Sequence, residues 1–172
     1  MPEPSPTARW GRSLRRGALQ ILLVATVFLA ISHWNARGAR SGSAPAVEGT
    51  DVRGQAQSLA ALRGKPVLVH FWASWCGVCK LEQSSIEALA RDHAVLSIAA
   101  GSGDSRQVGD FMRAQGLSFP TLADPDMDLA RRFGVSGFPT SFVVDPKGTI
   151  RFVEVGYTTS PGLRARLWWA GR

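Results

Sequence analysis

Apolar positions fall into two kinds of pattern along residues 47–172. Short unbroken runs occur at 66–72 (PVLVHFW), 95–100 (VLSIAA) and 140–144 (TSFVV). They are β-branched or aromatic, lack helical spacing and predict buried strands. Between them lie stretches with apolar residues three and four apart. Leu81, Ile86, Leu89 and Ala90 give 77–92 an apolar side; Val108, Phe111 and Met112 do the same up to Gln115, behind a cap at Asp104 or Ser105. Residues 117–122 read as a short extended piece, and Asp124-Pro125 opens a short helix at 127–133 that ends at Gly134. Asp145-Pro-Lys-Gly148 is a turn that folds 150–155 back as a hairpin. Ser160-Pro161 predicts an N-cap and first helical position for a last helix with Leu163, Leu167 and Trp168 on one side. Residues 47–62 read as an irregular start with a hairpin or short strand. The order strand, helix, strand, helix, hairpin, helix predicts an α/β domain.

The N-terminus follows another pattern. Residues 18–34 are apolar apart from Gln20, Thr26, Ser32 and His33, a length that just spans a thin hydrocarbon core. Four arginines precede the run and two follow it, which orients the N-terminus to the cytoplasm. Ala36-Arg37-Gly38 and Gly42-Ser43-Ala44-Pro45 are poor cleavage sites, so an uncleaved anchor is favoured over a signal peptide. The expected organisation is a basic cytoplasmic segment (1–17), a transmembrane helix (18–34), a small polar linker (35–46) and one domain (47–172).

Charge follows this division. The net charge of +7 sits mostly in the first 43 residues, where six arginines face Glu3 alone. The body is near neutral, which argues against a nucleic-acid surface.

The chain has two cysteines, Cys76 and Cys79. A bridge across so short a loop is a poor staple, so the spacing points to redox cycling or metal binding. Cys76 stands where strand gives way to helix, and unpaired helix N–H groups favour a thiolate there. Cys79, one turn on, can resolve the mixed disulfide that Cys76 forms.

Phe71-Trp-Ala-Ser-Trp-Cys76-Gly-Val-Cys79-Lys80 resembles the active-site segment of the thioredoxin superfamily. Leu62-Arg-Gly-Lys-Pro66, Glu82, Phe119-Pro-Thr-Leu-Ala-Asp124, Gly137-Phe-Pro-Thr140 and Val144-Asp-Pro-Lys-Gly148 narrow the resemblance to the TlpA/ResA/DsbE-like group, and a short anchor brings it nearest to ScsD-type proteins linked to copper tolerance. The resemblance implies a thioredoxin-like α/β fold with a central mixed sheet flanked by helices. It also implies an extracytoplasmic, periplasmic thiol-disulfide oxidoreductase held at a bacterial inner membrane. Its substrates would be protein thiols and disulfides, such as apocytochrome cysteines or metal-stressed proteins. A DsbD-type membrane electron donor would recharge it, the reductase direction is favoured, and no cofactor or resident metal is implied. Pro139 would be the cis-proline facing the cysteines, with Trp75, Gly77, Val78, Phe138 and Thr140 lining the substrate groove.

Two positions depart from the common pattern. Val78 stands where proline is usual, which alters the reduction potential. His70 stands where many thioredoxins place an aspartate that exchanges a proton with the resolving cysteine. His70 is therefore expected either as that proton acceptor, neutral at rest because burial lowers its pKa, or as an inert core histidine. Glu82 reads either as a carboxylate near the pair or as an exposed helix residue. Lys80 reads as solvated, Trp72 as packing, Trp75 as shaping the approach to Cys76, and His93 as a surface group.

A copper-binding protein using Cys76, Cys79 and a histidine is the alternative reading, since thiolates suit Cu(I). Peroxiredoxin chemistry is set aside, because Ala73 and Val69 stand where it needs a threonine and a proline.

Overall fold

The computed structural model describes residues 41–172 and, N-terminal to them, Leu19, Gln20, Leu22, Leu23 and Thr26. Those five positions are helical. The rest of the expected anchor at 18–34, the basic segment and linker residues 35–40 lie outside the described residues. Among the described residues no helix is long and apolar enough to cross a membrane.

Strand β4 (Val67–Trp72) is buried at all six positions and lies between two partners. It pairs in parallel with β5 (Ala94–Ala100) and antiparallel with β7 (Thr140–Val144). The helix α1 (Gly77–Ala90) follows β4, and α2 (Ser105–Ala114) follows β5. Asp104 caps α2 in a reciprocal pair with Gln107, settling the choice between Asp104 and Ser105. β6 (Thr121–Asp124) adds to β5 in parallel and closes that edge. The short helix α3 (Asp128–Phe133) follows. The buried Asp124 carboxylate accepts the N–H groups of Leu129 and Ala130 in its first turn, and Gly134 ends it at φ 68°. β8 (Thr149–Val155) returns from β7 through the expected turn, where Asp145 Oδ1 accepts the N–H groups of Lys147 and Thr149. The last helix is α4 (Ser160–Ala170).

With β1 at Gly42–Ser43, the sheet order is β1-β8-β7-β4-β5-β6, the expected mixed sheet with helices on its faces. β1 pairs with β8 at Thr149 and Ile150, and Ala44 N–H donates to Gly148 O. The sheet thus begins inside the stretch expected as linker. β2 (Glu48–Thr50) and β3 (Ala56–Ser58) form the expected small hairpin, followed by a 3₁₀ turn at Ala60–Leu62.

Three local expectations shift. Thr159, not Ser160, caps α4, because its Oγ1 accepts Gly162 N–H and this leaves Pro161 inside the first turn. Trp168 is 56% exposed and Ala170 takes the inward place. Leu81 is 71% exposed, whereas Glu82 and Gln83 are buried. A helix starting at Gly77 turns positions 79, 82, 83 and 86 to the sheet, and 81 points away.

The core has two halves, one on each face of the sheet. Leu68, Trp72, both cysteines, Ile86, Leu89, Leu163 and Leu167 fill one. Phe71, Phe133 and Phe142 centre the other, with ring centroids 5.0 to 5.8 Å apart in tilted and edge-to-face contacts. Phe133 is fully buried among them. Phe133→Ala is expected to cost about 3–5 kcal/mol of unfolding free energy, read as a lower urea midpoint with the slope unchanged.

Candidate active site

Strand β4 ends at Trp72, and α1 begins five residues later. The connecting turn is fixed from both sides. Cys76 N–H donates to Ala73 O, and Ser74 N–H donates to Ser102 Oγ, whose hydroxyl in turn donates to Ala100 O. Cys76 is the N-cap of α1, with extended backbone dihedrals. Its Sγ accepts the N–H of Cys79 at 3.1 Å, the place a serine or aspartate oxygen fills in an ordinary cap. A sulfur there sits at the positive end of the helix, which favours the thiolate.

Cys76 and Cys79 form a disulfide. Cys76 keeps 8% of its surface and Cys79 none, so only the first sulfur is reachable. The peptide bond between Phe138 and Pro139 is cis, and Phe138 O lies 3.7 Å from Cys76 Sγ. Pro139 O is engaged by Gly156 N–H, and Thr140 Oγ1 donates to Gly137 O. The loop is thereby held against the cysteine pair.

Trp75 is 65% exposed but tethered, with Nε1 donating to Gly101 O at 2.9 Å and its ring edge-on to Phe138 at 5.8 Å. Val78 is 45% exposed, and a side chain at Gly77 would meet nothing within 4 Å. Trp75, Gly77, Val78 and Phe138 are thus gathered around Cys76 as an open apolar rim, while Thr140 is buried at the start of β7. Trp72 is a core residue, its Nε1 donating to Ser97 Oγ, and Lys80 lies 5.8 Å over the Phe111 ring.

Two titratable side chains are buried on the cysteine side of the sheet. Glu82 lies one helical turn from Cys79 on the buried face of α1. Its Oε1 accepts Thr158 N–H at 3.0 Å, and Oε2 has no partner. Burial pushes this carboxyl from an ordinary 4.5 up to about 7, against the smaller opposing pull of the Thr158 hydrogen bond. The reading of Glu82 as an exposed helix carboxylate is thereby overturned, since it is fully buried.

His70 follows the alternation of β4 with Leu68 and Trp72, and so shares the face that holds the cysteines. Its Nδ1 is 2.9 Å from Ser141 Oγ, directly across on β7, and no hydrogen bond joins it to Cys79. Burial lowers its pKa from 6.5 to about 3. His93 is half-buried, with Nε2 3.4 Å from Arg164 Nη1. Among the described residues no group of three or more His, Cys, Asp or Glu side chains is arranged to hold a metal ion. The alternative copper reading needed a histidine as third ligand, and Nδ1 of His70 is engaged with Ser141.

The two buried groups leave opposite marks on stability. For Glu82 the folded pKa is raised, so its contribution is full below 4.5 and is lost as pH rises through about 7. For His70 the folded pKa is depressed, so its contribution is full above 6.5 and is lost as pH falls toward about 3. Urea unfolding against pH is expected to lose the first slope in Glu82→Gln and the second in His70→Asn.

Comparison with known proteins agrees with this geometry. The AhpC/TSA family matches residues 41–153. A thioredoxin-like protein of Haemophilus influenzae is 35% identical over 122 residues, covering 70% of this chain and 72% of that protein. The thiol-disulfide oxidoreductase ResA of Bacillus subtilis is 29% identical over 153 residues, covering 85% and 86%. The crystal structure of a thiol:disulfide interchange protein of the thioredoxin family from Chlorobium tepidum superposes with a TM-score of 0.66 at 30% identity, covering 77% of this chain and 97% of that one. Ala73 and Val69 still stand where peroxidatic chemistry would need other side chains. The chain belongs to the AhpC/TSA family, among its thioredoxin-like thiol-disulfide oxidoreductases.

Proposed function

We propose that the protein is a membrane-tethered, extracytoplasmic disulfide oxidoreductase that reduces protein disulfides. The observation that carries the reading is the pair itself: a reachable sulfur at a helix N-cap, a buried sulfur one turn on, and a cis-proline loop against them. Reduced Cys76, as thiolate, attacks one sulfur of a substrate disulfide and releases the other as a thiol. The mixed disulfide so formed is then attacked by Cys79, which must first give up its proton. The products are the reduced substrate and the Cys76–Cys79 bridge.

Proton exchange with Cys79 falls to Glu82 rather than to His70. A carboxyl near 7 accepts and returns a proton at neutral pH at little cost. Protonating an imidazole near 3 costs on the order of 5 kcal/mol at pH 7. In this reading His70 stays neutral and orders the strand pair through Ser141.

Residues 18–34 are the anchor in this proposal, with the N-terminus cytoplasmic and the domain in the periplasm of a bacterial inner membrane. Leu19, Leu22 and Leu23 are exposed on their helix, as a lipid-facing segment requires. A DsbD-type donor in the same membrane would return electrons to the pair, and apocytochrome cysteines or proteins damaged by copper are the substrate classes proposed.

Cys79→Ser is expected to trap the substrate on Cys76, visible as a mixed disulfide on non-reducing gels, and Cys76→Ser to trap nothing. The reductase direction predicts a reduction potential nearer the −270 mV typical of thioredoxin than the about −120 mV of a strong oxidant such as DsbA. A value near the second would reverse the direction. The pH profile of insulin reduction is expected to lose its inflection near 7 in Glu82→Gln and to keep it in His70→Asn.

A further inference from the structure

The end of the domain opposite the cysteines has a composition of its own. β4 runs from this end to the active site, because Val67 pairs with Val144 beside the β7–β8 turn, whereas Phe71 pairs with Thr140 beside the cis-proline loop. The last turn of α4 arrives at the same end, where Gly171 packs on Pro66. A cleft of about 270 Å³ between turn and helix is lined by Lys147, Arg151, Trp169 and Arg172, with Asp145. Trp168 and Trp169 are 56% and 63% exposed, and the Arg172 guanidinium stacks 3.6 Å over the Trp168 ring. Arg63 and Lys65 are exposed beside the turn, bracketing Gly64, whose N–H donates to Pro146 O.

Five cations thus share one end of a body that is otherwise nearly balanced. None of them is in an ion pair among the described residues. The acid lining the cleft, Asp145, spends an oxygen on the turn, and Asp92 nearby is paired with Arg164. Two exposed tryptophans among lysine and arginine are the composition of a membrane interface, where the rings sit at headgroup depth and the cations meet phosphates.

The chain's own path brings a bilayer here. The apolar run ends at Trp34 and β1 begins at Gly42, opposite Thr149 and Ile150. The seven residues between them span at most about 25 Å. A surface beside that point is held near the membrane at high effective concentration, so weak contacts suffice to orient it.

We propose that this end of the domain, Lys147, Arg151 and Arg172 with Trp168 and Trp169, rests on anionic phospholipid headgroups of the bilayer that anchors the chain. The inference rests on the reading of 18–34 as an anchor. It turns Cys76 away from the membrane, about 20 Å up the length of β4.

The test uses the full chain in phosphatidylglycerol–phosphatidylcholine vesicles, with lipids brominated near the headgroup end of the acyl chain. Tryptophan quenching is compared between wild type and W168F/W169F, which changes only exposed rings. The expected result is loss of a quenched component in the double variant, in K147Q/R151Q/R172Q, in wild type at high salt, and in wild type in phosphatidylcholine alone. Insulin reduction in solution stays unchanged in all variants. Equal quenching in wild type and W168F/W169F overturns the proposal, and so does quenching indifferent to salt and to phosphatidylglycerol. Alkaline carbonate extraction reads the anchor separately. A chain that resists extraction but shows no Trp168/Trp169 quenching keeps its anchor and loses the docking.

Discussion

Everything at the site depends on strand β4 being held on both sides. Its parallel partner β5 supplies the loop that ties down Ser74 and Trp75. Its antiparallel partner β7 starts where β4 ends, and so brings Phe138 and Pro139 to the cysteines. With the strand fixed, the next turn of chain has one way to start a helix, and Cys76 becomes its cap. The sulfur then takes a hydrogen bond that an oxygen would take in an ordinary helix. The reactivity of the thiol is a by-product of helix initiation at the end of a central strand, where two loops converge.

The buried groups next to the pair divide along a simple line. Desolvation favours the neutral form of each, raising the carboxyl and lowering the imidazole. The same burial therefore brings Glu82 into the range of cellular pH and takes His70 out of it. An acid is tuned toward proton exchange by being hidden, whereas a histidine is tuned away from it. In the function proposed above, that asymmetry favours Glu82 over His70 as the group that exchanges a proton with Cys79.

Strand and helix order and the placement of both cysteines were legible from local signals: unbroken apolar runs and a C-x-x-C at a strand-to-helix junction. The cis bond before Pro139 was legible only through the family resemblance, since a Phe-Pro before a strand reads equally well as an ordinary turn. Glu82 was less legible. Counting apolar spacing put Leu81 inside, but the helix phase is set by Cys76 as cap, and that phase buries 82 and exposes 81. The carboxylate's partner, Thr158, lies 76 residues away, a distance no sequence window spans. Trp168 misled in the same way, since Thr159 rather than Ser160 caps α4 and the indole finds Arg172 instead of the core. Gly42 and Ser43 are too small and polar to announce a strand; only β8 makes them one.

That two-residue strand has a further meaning. A protein that handles chains with loose cysteines meets extended, sticky segments in the course of its work, and an open sheet edge would recruit them. Here β1 covers the start of β8, and the next residue beyond it is the exposed Arg151. On the far side β6 has four residues, and Val52 N–H from the β2–β3 hairpin already occupies Thr121 O. Both margins of the sheet are blunted, and the open apolar rim around Cys76 lies away from either of them.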